Sequence, residues 1–132
     1  MSKPQLSSSD VPRGRLARIS RPKLLGFVRH EGVLMPDGRV VHTSPDGGTR
    51  ICSYAEFRAG LEVNVEYELP IHRHADALAV LNRLLAANAP YDLIANNCEI
   101  FARKVMLEKP VSPQLGFWAV AGLCAAAWCM TR

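Results

Sequence analysis

Val33-Leu34-Met35-Pro36-Asp37-Gly38-Arg39-Val40-Val41-His42 is the stretch that decides the fold of this chain. Two apolar runs flank a Pro-Asp-Gly turn signal, and this pattern predicts a β-hairpin. Proline followed by glycine favours a three-residue loop, in which a type I turn precedes a residue in the left-handed conformation. A two-residue Asp-Gly loop is the alternative, and the turn chemistry favours the longer one.

The loop length determines whether two histidines of this hairpin share a face of the sheet. With the three-residue loop, Met35 pairs with Arg39. His30 then lies opposite Ser44, and His42 sits one diagonal step away on the same face. The shorter loop would shift the register by one residue and send the two imidazoles to opposite faces.

The rest of the chain alternates strand-like and helix-like segments, which predicts an α+β fold with a small antiparallel β-sheet packed against helices. Residues 15–19 read as a short first strand that Ser20-Arg21-Pro22 interrupts. The regular alternation of residues 61–69 predicts a later strand. Helices are predicted over residues 75–88 and 96–107.

Composition and charge narrow the class of protein. The length of 132 residues suits one domain, and a hydrophobic share of 48% is enough for a core. The net charge of +4 is unevenly placed, because residues 1–30 carry most of the excess of basic side chains. Neither aromatic interleaving nor a known nucleic-acid motif accompanies this charge, so no nucleic-acid partner is expected.

The cysteines indicate a reducing compartment. The chain contains Cys52, Cys98, Cys124 and Cys129, which form no C-x-x-C pair. The polar N-terminus lacks the apolar stretch of a secretory signal. Free thiols on the cytoplasmic side are therefore expected.

Three regions are predicted along the chain. Residues 1–10 are polar and expected to be disordered, residues 11–114 form the folded domain, and residues 115–132 form a hydrophobic C-terminal helix. As a helix, residues 115–130 would span about 24 Å, against roughly 30 Å for the hydrocarbon core of a bilayer. A helix that is apolar on every side is either buried or in lipid, so residues 115–130 are a candidate membrane anchor and the protein is expected to be membrane-associated.

Cys98 is the candidate nucleophile, because it would occupy the first turn of a helix. Free backbone N–H groups and the positive end of the helix dipole favour a thiolate there. Asn96 is the expected N-cap, with Glu99 completing a capping-box-like pattern. The carboxylate of Glu99 opposes thiolate formation, so further activation has to come from a histidine. The alternative is that Cys98 is a small apolar core residue.

The two hairpin histidines could complete such a site. His30 could accept the thiol proton and return it to a leaving group, and His42 could hold the His30 ring in the useful tautomer. The alternative is that both are structural histidines of the sheet. A zinc site with Cys98 and a fourth ligand from His72 or His74 matches no known ligand spacing, so neither a metal nor another cofactor is expected.

At these residues the chain resembles the lecithin:retinol acyltransferase family, including the H-Ras-like suppressor phospholipase/acyltransferases. The similarity covers about residues 11–114. The matching segments are Arg29-His30-Glu31-Gly32-Val33, Asp37-Gly38-Arg39-Val40-Val41-His42 and Asn97-Cys98-Glu99-Ile100-Phe101, supported by Ser112-Pro113-Gln114 and Pro12-x-Gly14.

The resemblance implies a circularly permuted papain-like or NlpC-like catalytic domain. It assigns Cys98 as the nucleophile, His30 as the base and His42 as the orienting residue, with no cofactor and no metal. The implied chemistry is a thioester acyl-enzyme formed from a phospholipid or another acyl ester, followed by transfer to water, an amine or an alcohol.

The chain departs from the family pattern beside these residues. Ile100 stands where relatives often carry a histidine, and Glu31 stands where an aromatic residue commonly follows the first histidine. Both changes bear on substrate identity. Two other functions therefore stay open at this point: a thiol peptidase or amidase, and a catalytically inactive membrane-binding module of the same fold.

Overall fold

The computed structural model describes residues 3–6, 12–23, 26, 28–92, 96–110 and 112–130. The predicted α+β fold is confirmed: an antiparallel sheet packs against helices, and an apolar helix follows at the C-terminus. The elements are β1 (Ala17–Lys23), β2 (Val28–Leu34), β3 (Val40–Ser44), β4 (Gly48–Cys52), α1 (Tyr54–Arg58), β5 (Asn64–Glu68), α2 (His74–Ala87), α3 (Cys98–Val105) and α4 (Pro113–Met130).

The hairpin between β2 and β3 has the predicted three-residue loop. Leu34 pairs with Val40 in the ladder. The Met35 N–H donates to the Arg39 carbonyl over 2.8 Å, and Gly38 supplies the left-handed residue with φ of 89°. Glycine adopts this conformation without steric cost, so the loop fixes the register in which the two histidines share a face.

Alternate residues of the sheet serve two cores. The strand order is β4-β3-β2-β1-β5. One face packs under α2 and α3, where Val33 and Val41 meet Phe101 and Val105. The opposite face packs under α1, where Leu34, Val40 and Phe57 belong to a second cluster. Side chains of neighbouring residues in a strand point to opposite faces. Successive residues of β2 and β3 therefore contribute alternately to the two cores.

The predicted interruption of the first strand is wrong. β1 runs to Lys23, and Pro22 pairs with Arg29 of β2. β5 pairs with β1 only as far as Ser20. Beyond that residue one side of β1 has no strand partner among the described residues, and sheets accept proline in such edge positions.

Residues 3–6 belong to the segment for which disorder is predicted, and in the structure they lie along β5. The Val65 N–H donates to the Pro4 carbonyl over 2.9 Å, and the Leu6 N–H donates to the Val63 carbonyl over 3.2 Å. Backbone groups at the outer edge of β5 would otherwise lack strand partners, which explains why a polar segment is held there. The other residues of this predicted segment lie outside the described part of the chain.

The apolar C-terminal segment forms α4 and is largely exposed. The helix contains 18 residues, which corresponds to about 27 Å. Phe117 is 66% exposed and Leu123 is 72% exposed. By length and composition this helix could cross a membrane. An all-apolar helix is expected to be either buried or in lipid. The structure does not show α4 buried against the rest of the chain.

Candidate active site

His30 of β2 and His42 of β3 form a buried pair. His30 Nε2 lies 2.9 Å from His42 Nδ1, and both rings contact Phe57 with centroid distances of 5.5 and 5.8 Å. Gly32 makes room for this arrangement, because a Cβ at that position would lie 2.8 Å from Phe57 Cε2. The sequence register therefore brings the two predicted histidines together on the α1 side of the sheet.

Both imidazoles are neutral at pH 7. Burial lowers the pKa of His30 to about 3, with a further contribution from His42. Burial, followed by the charges of Arg50 and Arg21, lowers the pKa of His42 to about 4. In a neutral pair one ring nitrogen donates the hydrogen bond and the other accepts it, so each ring can keep one fixed tautomer.

Lowering the pH below 6.5 is expected to destabilise the fold through this pair. Because both folded-state pKa values lie below the ordinary 6.5, the unfolded chain binds more protons as the pH falls from 6.5 towards 4. The stabilisation is complete above pH 6.5 and is lost at up to about 1.4 kcal/mol per pH unit for each histidine. Glu31, whose pKa burial raises to about 7, acts in the opposite sense.

The measurement is therefore a comparison of variants by urea unfolding at pH 7, 6 and 5. His42→Gln should lose less stability on acidification than the parent chain. His72→Gln is the matched control, since His72 is exposed, and should follow the parent. Equal pH slopes for His42→Gln and the parent would contradict the assignment.

Cys98 is the first residue of α3 and is buried, with 5% exposure. The predicted cap is wrong by one residue. Asn97 caps the helix, and its side-chain oxygen accepts a hydrogen bond from the Ile100 N–H over 2.9 Å. The Asn96 side chain instead donates to the carbonyls of Ala89 and Pro90 in the preceding loop.

The Cys98 thiol is protonated in the resting structure. Burial raises its pKa above the ordinary value, and the nearby carboxylates of Glu31 and Glu99 act in the same direction. A hydrogen bond from the Glu31 N–H and the charge of Lys23 oppose this shift without reversing it. Any reaction at sulfur therefore requires a base to remove the proton during the attack.

The helix α3 and the two imidazoles pack on different sides of the sheet. His30 and His42 project towards Phe57 on the α1 side, whereas α3 packs on the other side and brings Cys98 to the backbone N–H of Glu31. Among the described residues no hydrogen bond joins the thiol to either imidazole. The structure thus pairs the two histidines and places Cys98 beside the residue that follows His30.

The strands separate near this point. In the described part of the sheet, the β2–β3 ladder consists of two residue pairs, Val33 with Val41 and Leu34 with Val40. The Glu31 N–H acts on the thiol and lowers the pKa of Cys98, against the effect of burial. The described pairing of β2 with β3 therefore stops at Val33 and does not extend to His30.

Cys98 lines an open cavity of about 330 Å³. Its apolar walls include Val28, Tyr91, Leu115 and Trp118, so the first turns of α4 form part of it. The volume lies in the range of small-molecule sites, which are mostly apolar with a few polar groups. His72 and His74 are not among the lining residues, and the described residues contain no group of metal-ligating side chains that could hold an ion.

Sequence reasoning missed a buried network of charged and polar side chains behind Cys98. Arg18 donates to Glu31 over 3.0 Å and to Glu108 over 2.8 Å. The Gln114 amide donates to Glu99, and its oxygen accepts from the Arg29 N–H over 2.8 Å. The only sequence signal was the position of Glu31 and Glu99 inside otherwise buried segments.

Comparison with known proteins adds no relative. No protein-family model matches the chain, and neither the curated proteins nor the solved structures yield a match.

Proposed function

We propose that this protein is a cysteine-dependent acyltransferase or phospholipase A-type hydrolase that forms a thioester on Cys98 from lipid acyl esters. One observation carries the proposal: the thiol at the start of α3 lines an apolar cavity that is partly walled by an exposed apolar helix. Such a cavity suits an acyl chain, and the exposed helix suits a lipid surface.

In the proposed reaction His30 is the base. If His30 Nε2–H donates to His42 Nδ1, the His30 Nδ1 lone pair is free to take the thiol proton. Sulfur attacks the ester carbonyl, and the C–O bond breaks as the imidazolium returns its proton to the leaving alcohol. Water, an amine or an alcohol then attacks the thioester and releases the thiol. The backbone N–H of Cys98 is a candidate donor to the oxyanion.

The short β2–β3 ladder supports this assignment of His30. The described pairing of β2 with β3 does not include Glu31, and the N–H of this residue, next to His30, acts on the thiol of Cys98. Lys23 affects both Cys98 and His30 electrostatically. The proposed proton transfer requires the thiol and the His30 ring to come into contact when the substrate binds.

Membrane association belongs to the same proposal. α4 exposes Phe117, Val120, Leu123 and Trp128, and a contiguous apolar surface of this kind marks a membrane or protein interface. Since Leu115 and Trp118 of the same helix line the cavity, insertion of α4 would bring the cavity to the lipid. The cytoplasmic face is the proposed side, in keeping with the free thiols.

The experiment is intact-mass detection of an acyl adduct after incubation with phosphatidylcholine vesicles, together with measurement of released fatty acid. The parent chain should gain one acyl group that hydroxylamine removes, and Cys98→Ala should gain none. Cys124→Ser/Cys129→Ser is the matched control, because both of these thiols are exposed, and it should behave like the parent chain.

Two results would redirect the assignment. Peptide cleavage that Cys98→Ala abolishes, without any acyl adduct or fatty acid, would establish a thiol peptidase or amidase. Vesicle binding through α4 with neither activity would indicate the inactive membrane-binding module.

A further inference from the structure

The charged residues of the cavity differ in how far they are already paired. Arg29 is held by Ser20, with Nε donating to Oγ over 2.8 Å and NH2 donating to the carbonyl over 3.1 Å. Glu99 accepts a hydrogen bond from Gln114. Lys23 also lines the cavity, and its ammonium has no ion-pair or hydrogen-bond partner within the described ranges. Among the described residues that line the cavity, Lys23 is therefore the cation available to a ligand.

Lys23 stands close to the reacting groups. It is the last residue of β1 and pairs with Val28, which also lines the cavity. Its charge acts on both Cys98 and His30. The positive end of α3, a helix of eight residues, opens on the same cavity at Cys98. Lys23 and the positive end of α3 therefore attract an anionic group in this part of the cavity, and the carboxylate of Glu99, which also lines it, opposes them.

Part of the cavity wall is apolar. Leu115 and Trp118 belong to this part and to the exposed helix α4. A ligand that contacts both Lys23 and this wall carries an anion and an aliphatic chain in one molecule.

We infer that Lys23 forms a phosphate subsite, in which its ammonium binds the phosphodiester of a glycerophospholipid whose acyl chain lies against Leu115 and Trp118. The inference rests on the proposed function and adds a selectivity to it: phospholipids are bound in preference to uncharged acyl esters of the same chain length. A charge-assisted hydrogen bond from ammonium to phosphate provides that preference.

The test measures binding without turnover. Cys98→Ala prevents acylation, and Trp128→Phe leaves Trp118 as the single tryptophan, since the chain has 2. In this background, the fluorescence of Trp118 is titrated with monomeric dihexanoyl phosphatidylcholine and, separately, with dihexanoylglycerol, which has no phosphate. Monomeric probes exclude effects of bulk adsorption to a membrane.

Lys23→Gln should weaken phosphatidylcholine binding about tenfold and leave dihexanoylglycerol binding unchanged. Lys23→Arg should retain most of the affinity. Lys109→Gln is the matched control, because Lys109 is exposed and does not line the cavity. Inorganic phosphate should compete only weakly, because it lacks the acyl chain.

The inference is overturned if Lys23→Gln weakens both lipids equally, weakens neither, or if phosphatidylcholine leaves the fluorescence of Trp118 unchanged. Competition by inorganic phosphate as strong as that by the lipid would identify a free-phosphate site instead and would also overturn it. Selective binding without an acyl adduct on the Cys98-containing chain would reject the proposed catalysis while upholding the subsite. An acyl adduct on Cys98, together with no effect of Lys23→Gln on lipid binding, would uphold the proposed catalysis and reject the subsite.

Discussion

Replacing Arg18 by methionine is expected to destabilise the folded chain by about 3–5 kcal/mol at pH 8, the cost of leaving a buried charge without its partner. Arg18 is 7% exposed and donates to the carboxylates of Glu31 and Glu108. Methionine fills similar space but satisfies neither carboxylate. The buried oxygen Oε2 of Glu31 already lacks a partner within the described structure, so the loss of Arg18 would strip Oε1 as well.

The dependence of this loss on pH identifies its cause. Burial raises the pKa of Glu31 to about 7 even with Arg18 present, and removing the guanidinium should raise it further. At pH 5.5 Glu31 is then protonated in the variant, and the destabilisation should shrink. Urea unfolding at the two pH values measures the difference.

Two variants complete this test. Arg18→Met/Glu31→Gln should recover part of the stability at pH 8, because the unpaired charge is gone. Arg39→Met, which removes the exposed pair of Arg39 with Asp37, should cost no more than about 0.5 kcal/mol. An equal loss for Arg18→Met at pH 8 and pH 5.5 would show that packing, and not the unpaired carboxylate, accounts for the effect.

His30→Ala is expected to lower the rate of acyl-enzyme formation by about 10²–10⁴, the range that general acid–base catalysis contributes. The thiol is protonated at rest because burial raises its pKa, so without a base the attack on the ester carbonyl would have to start from a thiol. The rate is measured as the appearance of the acyl adduct on Cys98 in single-turnover conditions.

In the proposed mechanism His42 acts through His30, so it needs a different readout. His42→Leu removes the ring nitrogen that lies 2.9 Å from His30 Nε2, and it should lower the rate and alter the pH profile of acylation. His42→Gln keeps an oxygen that can accept the same hydrogen bond and should restore part of the rate. Urea midpoints for both variants separate this effect from unfolding. A full rate in His30→Ala with intact Cys98 would contradict the assignment of His30 as the base.

The part of the site that lies within one hairpin could be predicted from the sequence. Pro36-Asp37-Gly38 dictates the loop, the loop dictates the register, and the register places His30 beside His42. Each step is local, because turn chemistry and strand alternation operate over a few residues.

The rest of the site depends on contacts between distant parts of the chain. Arg18 and Glu108 are 90 residues apart, and Arg29 and Gln114 are 85 apart. No local sequence pattern predicts hydrogen-bond partners that are so far apart in the chain. The side of the sheet on which α3 packs is equally non-local, so the sequence could not show where Cys98 lies relative to the imidazoles.

The helix cap shows a smaller limit of the same kind. Asn96 and Asn97 are equally suitable caps by residue type. The choice falls on Asn97 because the Asn96 amide is bound to the carbonyls of Ala89 and Pro90. The hydrogen bond from Asn96 to Ala89 spans seven residues, so a sequence pattern that considers only the helix does not predict it.

The short ladder between β2 and β3 joins two hairpins, β1–β2 and β3–β4. Each hairpin supplies one histidine of the pair. β3 is bonded to β4 over five residue pairs but to β2 over two among the described strands. Local opening of a protein follows its weakest boundaries, so β3 and β4 would leave together and carry His42 away from His30. We therefore expect the fraction of molecules with a complete histidine pair to depend on this short β2–β3 ladder.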